Sequence, residues 1–299
     1  MDWISPLSLT AVLLLGVSVA WWRRRRQLHT LLATIEVVTV PDFYSHYLEN
    51  ARPLYICLPP HYHHTDQTYK LLLVNDGQDM EPLHLRQTVA TLCARRQMEP
   101  LVVVAIPTNE ERLEEYGTAV AANARGLGSK AALYALFVTE ELLPFVRENF
   151  RVSERAADTA ILGASLGGLS AFDIVWNFPD EFGLVGVMSG SFWWQAADDE
   201  TSIEPGKRIA HSLVRQGPKR DGQRFWFEAA TQDEFEDRDQ NGVIDAIQDT
   251  LELIDELEKL GYRRGKDVVY VEMPGGRHNY DTWARALPKF LMWAFPARG

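Results

Sequence analysis

A serine hydroxyl is a poor nucleophile until a base takes its proton and a carboxylate orients that base. The string Gly163-Ala164-Ser165-Leu166-Gly167 offers such a serine as G-x-S-x-G. An apolar run precedes it and a helical pattern follows, which predicts a strand-turn-helix setting. A turn that sharp tolerates only tiny side chains on either side of the serine. The partners should follow at later strand ends, acid before base. Asp233 stands in Thr231-Gln232-Asp233-Glu234, and His278 in Pro274-Gly275-Gly276-Arg277-His278. Each comes directly after a strand candidate. Ser165 is therefore expected as nucleophile, His278 as base and Asp233 as orienting acid, with Glu234 the rival for the last role.

An acyl-transfer intermediate also needs two preorganised N–H donors for its oxyanion. The backbone of Leu166 supplies one and that of Gln78 is expected to supply the other, Gly77 letting the chain turn inward. An ordinary Asp-Gly turn at Asp76-Gly77 is the alternative. Trp193, Trp194 and Tyr116 are candidates to line an acyl pocket, although aromatics at such places more often pack.

Beyond Asp233 the chain opens like a calcium loop. Asp237, Asp239 and Asn241 fall at positions 1, 3 and 5, Gly242 at 6 and Asp245 at 9, an oxygen-ligand spacing. Position 12 is Gln248, so the closing carboxylate is missing or displaced to Asp249. A structural Ca2+ on this loop thus competes with a plain acidic turn that leads into a helix, and the chemistry itself requires no cofactor. His61, His63 and His64 have no acidic or cysteine partner at ligand spacing and read as a solvated loop.

Positioning these residues requires a scaffold. Strand candidates cover 34–40, 53–58, 70–75, 101–106, 159–163, 184–188, 223–230 and 267–273. Helix candidates cover 82–96, 129–148, 166–177, 203–214, 246–260 and 281–294. The alternation predicts an α/β fold with a mostly parallel central sheet of about eight strands and helices on both faces. The first two strands, with no helix between them, should pair antiparallel. A loop over 108–128 is long enough to be functional or mobile.

The 299 residues carry 30 Lys and Arg against 41 Asp and Glu, a net charge of −11. Such an acidic chain does not suit a phosphate backbone, so nucleic acid is excluded as a partner. With 46% apolar residues it is not disordered. Cys57 and Cys93 cannot form a disulfide framework. The run from Trp3 to Trp22 holds no charge; its twenty residues at about 1.5 Å each match a bilayer core. Arg23 to Arg26 follow and would keep the body cytoplasmic. Residues 1–30 are thus expected as a transmembrane anchor with a basic flank and residues 31–299 as the catalytic domain. Cleavage after Ser18-Val19-Ala20 as a signal peptide, giving a secreted or periplasmic product, is the alternative.

Several motifs together resemble one family. They are Gly163 to Gly168, Phe178-Pro179-Asp180-Glu181-Phe182-Gly183, Met188-Ser189-Gly190-Ser191-Phe192-Trp193-Trp194 and the segment from Gly275 to Trp283. They are similar to the "putative esterase" family, which takes in enterochelin (siderophore) esterases, feruloyl esterases, S-formylglutathione hydrolases and mycolyl transferases. The resemblance spans roughly residues 35 to 295. It implies an α/β-hydrolase fold, Ser165, Asp233 and His278 as catalytic residues, and a small-molecule ester as substrate. Asn279 departs from the family, in which many members carry Asp after the histidine. The expected activity is serine ester hydrolysis of the enterochelin-esterase kind. Acyl transfer of the mycolyl-transferase type, or an inactive binding domain on the same fold, are its rivals.

Overall fold

The computed structural model describes residue 30, residues 32–196 and residues 207–297. Eight strands form one sheet: β1 (Glu36–Ser45), β2 (Asn50–Leu58), β3 (Lys70–Asn75), β4 (Leu101–Ile106), β5 (Thr159–Ala164), β6 (Leu184–Met188), β7 (Arg224–Gln232) and β8 (Val268–Arg277). Their order is β1-β2-β4-β3-β5-β6-β7-β8. β1 pairs antiparallel with β2 and β2 with β4, and the pairs from β4 through β8 are parallel. The α/β class, the eight strands and the antiparallel first pair agree with the sequence.

The helices among the described residues are α1 (Leu85–Ala94), α2 (Arg112–Glu115), α3 (Ala131–Leu136), α4 (Leu143–Asn149), α5 (Leu166–Asn177), α6 (Ile209–Gln216), α7 (Asp245–Lys259) and α8 (Tyr280–Ala294). β4, apolar from end to end, is buried on both faces, as a parallel strand covered by two layers must be. One layer packs Leu142, Leu169, Phe172, Val214 and Leu253 against the sheet, and the other packs Leu85, Val89, Trp283, Leu287 and Phe290.

Some boundaries differ from expectation. β1 starts at Glu36 and runs on to Ser45, because its register with β2 shifts between Val40 and Phe43 and pairing resumes beyond the irregularity. The helix expected over 129–148 is interrupted: a π-helical turn, Phe137–Leu142, separates α3 from α4. Pro144 sits in the first turn of α4, has no N–H to give to residue 140, and would crowd that carbonyl in a continuous α-helix. The wider π turn accommodates it. Of the helix expected over 203–214, residues 203–206 lie outside the described residues, and the described helix runs Ile209–Gln216. The expected anchor over residues 1–30 lies outside the described residues but for its last residue. Among the described residues no helix is long and apolar enough to cross a membrane.

The segment 108–128 is tied down rather than loose. The Glu115 carboxylate takes both terminal nitrogens of Arg52, at 2.6 and 2.8 Å, and the pair is almost wholly buried. Trp194 packs against Gly117 and Gly128, and the Ala119 N–H donates to Asp173 on α5 at 2.9 Å. Removing one member of a buried ion pair strands the other without solvent, so Glu115→Ala is expected to cost about 3–5 kcal/mol. The urea midpoint of the variant measures this, and the double substitution Arg52→Met/Glu115→Leu is expected to recover most of the loss.

Candidate active site

The nucleophile candidate sits where β5 turns into α5. Ser165 has φ 57° and ψ −126°, a backbone state that costs an L-residue free energy and persists only where its surroundings impose it. They do so by contact. A Cβ on Gly163 would lie 2.0 Å from the Gly167 carbonyl oxygen, so strand and helix cross with no side chain between them. The Ser165 N–H donates to the Met188 carbonyl at 2.9 Å, which clips the turn to the end of β6. Leu166 is the first residue of α5, and the N–H groups of a first helical turn have no acceptor within the helix. Such a donor is free to face an oxyanion.

Asp233 and His278 come together at the ends of β7 and β8. Asp233 Oδ1 lies 3.6 Å from His278 Nδ1, with the carboxylate 1% and the imidazole 41% exposed. The carboxylate is held from two other sides: Oδ2 accepts the Ala230 N–H at 3.0 Å and Oδ1 accepts the Ser189 hydroxyl at 3.0 Å. The same hydroxyl oxygen accepts the Trp283 indole N–H at 2.9 Å, and the Trp283 ring stands edge-on to His278 at 5.2 Å. The Asp233 carboxylate is therefore clamped, whereas the more exposed His278 ring is not. A small rotation of the imidazole turns the 3.6 Å approach into a hydrogen bond. Glu234 points elsewhere. Its carboxylate accepts the Ala246 N–H at the start of α7, and burial pushes it up to about 7.

On the β3 side, the chain enters a short helical turn through Asp76 at φ 55°. Gly77 is required there, since a Cβ would lie 2.4 Å from the Ile106 nitrogen. The Gln78 side chain is turned away: its amide donates to Asp79 at 3.0 Å and its oxygen accepts the Thr108 N–H at 2.9 Å. What Gln78 can offer the site is its backbone N–H. The Asp76 N–H is already committed to the Tyr116 hydroxyl at 3.0 Å. Tyr116 and Trp194 are buried and packed, and only Trp193, 38% exposed, stands at the surface.

Residues that the sequence reasoning missed wall the site. A cavity of about 60 Å³ is bounded by Asp76, Asp79, Arg112, Ser165, Tyr280 and Trp283, among others. Arg112 donates to both Asp76 oxygens, at 2.6 and 2.9 Å. Burial pulls this guanidinium down, but the Asp76 carboxylate outweighs that and leaves it above its ordinary range. Tyr280 donates to Asp79 at 2.5 Å. Tyr280 and Trp283 lay in a motif noted for resemblance, which was the available signal. Nothing in the sequence joined Arg112 to Asp76.

The loop after Asp233 adopts the turn its pattern suggested. Asp237 accepts the Asn241 and Gly242 N–H groups at 3.0 and 2.8 Å. Gln248, at the closing position, donates to Asp239 at 3.1 Å, and Asp245 pairs with Arg238 at 2.9 Å. Among the described residues no group of three or more His, Cys, Asp or Glu is placed to hold a metal ion. His63 pairs with Glu36 at 2.9 Å on the surface. Burial raises the Cys57 and Cys93 thiols to about 11, which disfavours the thiolate.

A family model described as Putative esterase matches residues 45–294. An uncharacterized Bacillus subtilis (strain 168) protein, YbbA, is 28% identical over 156 residues, 50% of this chain and 62% of that protein. An iron(III) enterobactin esterase of Escherichia coli O6:H1 is 36% identical over 106 residues, 36% of this chain and 24% of that protein. The matched segments thus span less than two thirds of these relatives. The solved enterobactin esterase of Shigella flexneri superposes with a TM-score of 0.66 at 23% identity, covering 87% of this chain and 58% of that one. That likeness is one of fold.

The contact at Gly163 makes a prediction independent of any substrate. Gly163→Ala is expected to lose about 3 kcal/mol or more of stability, since its methyl meets backbone that cannot move aside. Urea and thermal denaturation check this.

Proposed function

The chain belongs to the putative-esterase family, and from that premise we propose that it is a serine carboxylic-ester hydrolase of the enterochelin-esterase type. The observation that carries the reading is the buried Asp233 carboxylate facing His278 Nδ1, at strand ends beside a serine held in a strained turn. Ser165 Oγ attacks the ester carbonyl carbon and its proton passes to the imidazole of His278. Asp233 holds the ring and stabilises the imidazolium that forms. The N–H groups of Leu166 and Gln78 receive the oxyanion. Collapse breaks the bond to the alcohol oxygen, which takes the proton from His278. Water, deprotonated by the same imidazole, then attacks the acyl-enzyme, and the acid leaves as Ser165 recovers its proton.

Ser165→Ala is expected to lower hydrolysis of a p-nitrophenyl ester by several powers of ten and to abolish labelling by a fluorophosphonate probe, with the fold retained. Turnover in a folded Ser165→Ala protein rejects the mechanism. Asp233→Asn leaves His278 in the wrong tautomer and is expected to lose on the order of 10⁴ in kcat. Glu234→Gln, aimed at a carboxylate that caps α7, should cost far less, and the opposite ranking would reassign the acid. Release of free acid in water without an added alcohol separates hydrolysis from acyl transfer.

The uncharged run from Trp3 to Trp22 and the arginines after it support a membrane anchor with the catalytic domain on the cytoplasmic side. Full-length protein should then resist carbonate extraction from membranes, and truncation before Thr30 should release active enzyme. A mature N-terminus at Trp21 would instead identify a cleaved signal.

A further inference from the structure

Among the buried acids that the described mechanism leaves unused, one stands next to the proposed acid–base pair. Glu228 lies on β7, opposite Met188 of β6, and is fully buried. Neither of its carboxyl oxygens has a hydrogen-bond partner. A buried carboxylate without partners is too costly to keep charged. The polar groups that bear on it are Asp233 and the N–H and hydroxyl of Ser189. Ser189 is the residue whose hydroxyl donates to Asp233 and accepts from Trp283. A hydroxyl has one proton to give and two lone pairs. The proton is spent on Asp233 and one lone pair on the indole, so one acceptor site remains, and a protonated acid is the group that would fill it.

We infer that Glu228 is a positioning residue for the reaction: as a neutral acid it donates to the Ser189 hydroxyl, and thereby keeps that hydroxyl's own proton directed at Asp233. The inference rests on Asp233 serving as the acid of a serine hydrolase. Once Glu228 ionises, two carboxylates compete for the single Ser189 proton. Asp233 then loses a donor that fixes it in front of His278. Burial, and secondarily the Asp233 charge, push the Glu228 carboxyl up to about 8, which places this competition on the alkaline side of neutrality. The charged and titratable groups around it are Asp233 at the end of β7, His278 after β8, Tyr270 on β8 and Arg285 on α8. Burial raises Tyr270 further from neutrality.

The test is the pH profile of kcat and KM for a p-nitrophenyl ester in wild-type protein, Glu228→Gln, Glu228→Leu and Ser189→Ala. Wild type should lose kcat by about tenfold as pH rises through 8, with KM little changed. Glu228→Leu, which cannot donate, should lose about tenfold in kcat already at pH 7. Glu228→Gln, whose amide donates at every pH, should recover most of that loss and keep its rate above pH 8. Ser189→Ala removes the relay, so its kcat should be low and show no step near pH 8, which tests the inference even if the Glu228 variants fail to fold. Superimposable profiles for wild type and Glu228→Gln, or an unaltered step in Ser189→Ala, would overturn it. If those profiles coincide while hydrolysis still requires Ser165, the positioning role alone fails. Hydrolysis that persists in Ser165→Ala overturns both this role and the proposed function.

Discussion

The crossing of β5 and α5 is the constraint from which the rest of the site follows. Backbone meets backbone there, since Gly163 has no side chain to hold strand and helix apart. The serine between them takes up a conformation it would not adopt in an open chain. Strain of this kind needs rigid surroundings. They are provided by a sheet whose central strands are buried on both faces and by the bond from the Ser165 N–H to the end of β6. The cost is met by the many apolar contacts of the two cores together with the backbone hydrogen bonds that the serine makes.

Around that point the structure uses charge sparingly and in pairs. Arg52 and Glu115 neutralise each other where solvent cannot, and Arg112 is joined to Asp76 at the edge of the cavity. Both pairs tie the segment after β4 to other strands, so a stretch rich in charged residues becomes a fixed wall. Removing one member of the buried pair would leave the other charge uncompensated, which is why the two occur together.

The acid side is built on a different principle. Asp233 is held by neutral donors, the Ala230 N–H and the Ser189 hydroxyl, and among the described residues its ion-pair partner is His278. A charge kept in that way in a dry setting acts strongly on the one ring that faces it. The indole of Trp283 both anchors Ser189 and flanks His278, linking the orientation of acid and base through a single side chain.

Sequence alone was enough for the class of fold, and it nominated the residues of the expected triad. Period and composition are local properties: the apolar runs of β3, β4 and β6 had to be buried strands, and G-x-S-x-G between a strand and a helix had to be a tight turn. Chain order then pointed to Asp233 and His278. Other features depend on which elements become neighbours, a matter decided by side chains far apart in the chain. Only the packed structure separates Asp233 from Glu234, because the two adjacent carboxylates point in different directions, one toward His278 and the other toward the first turn of α7. Only packing joins Arg112 to Asp76, or sets Ser189, Glu228 and Trp283 beneath the acid. The π turn before α4 was legible in principle from Pro144, whereas the run of β1 to Ser45 depended on its register with β2. Local chemistry can be read along the chain; the hydrogen bonds that direct it cross between strands and helices, and those crossings exist only after folding.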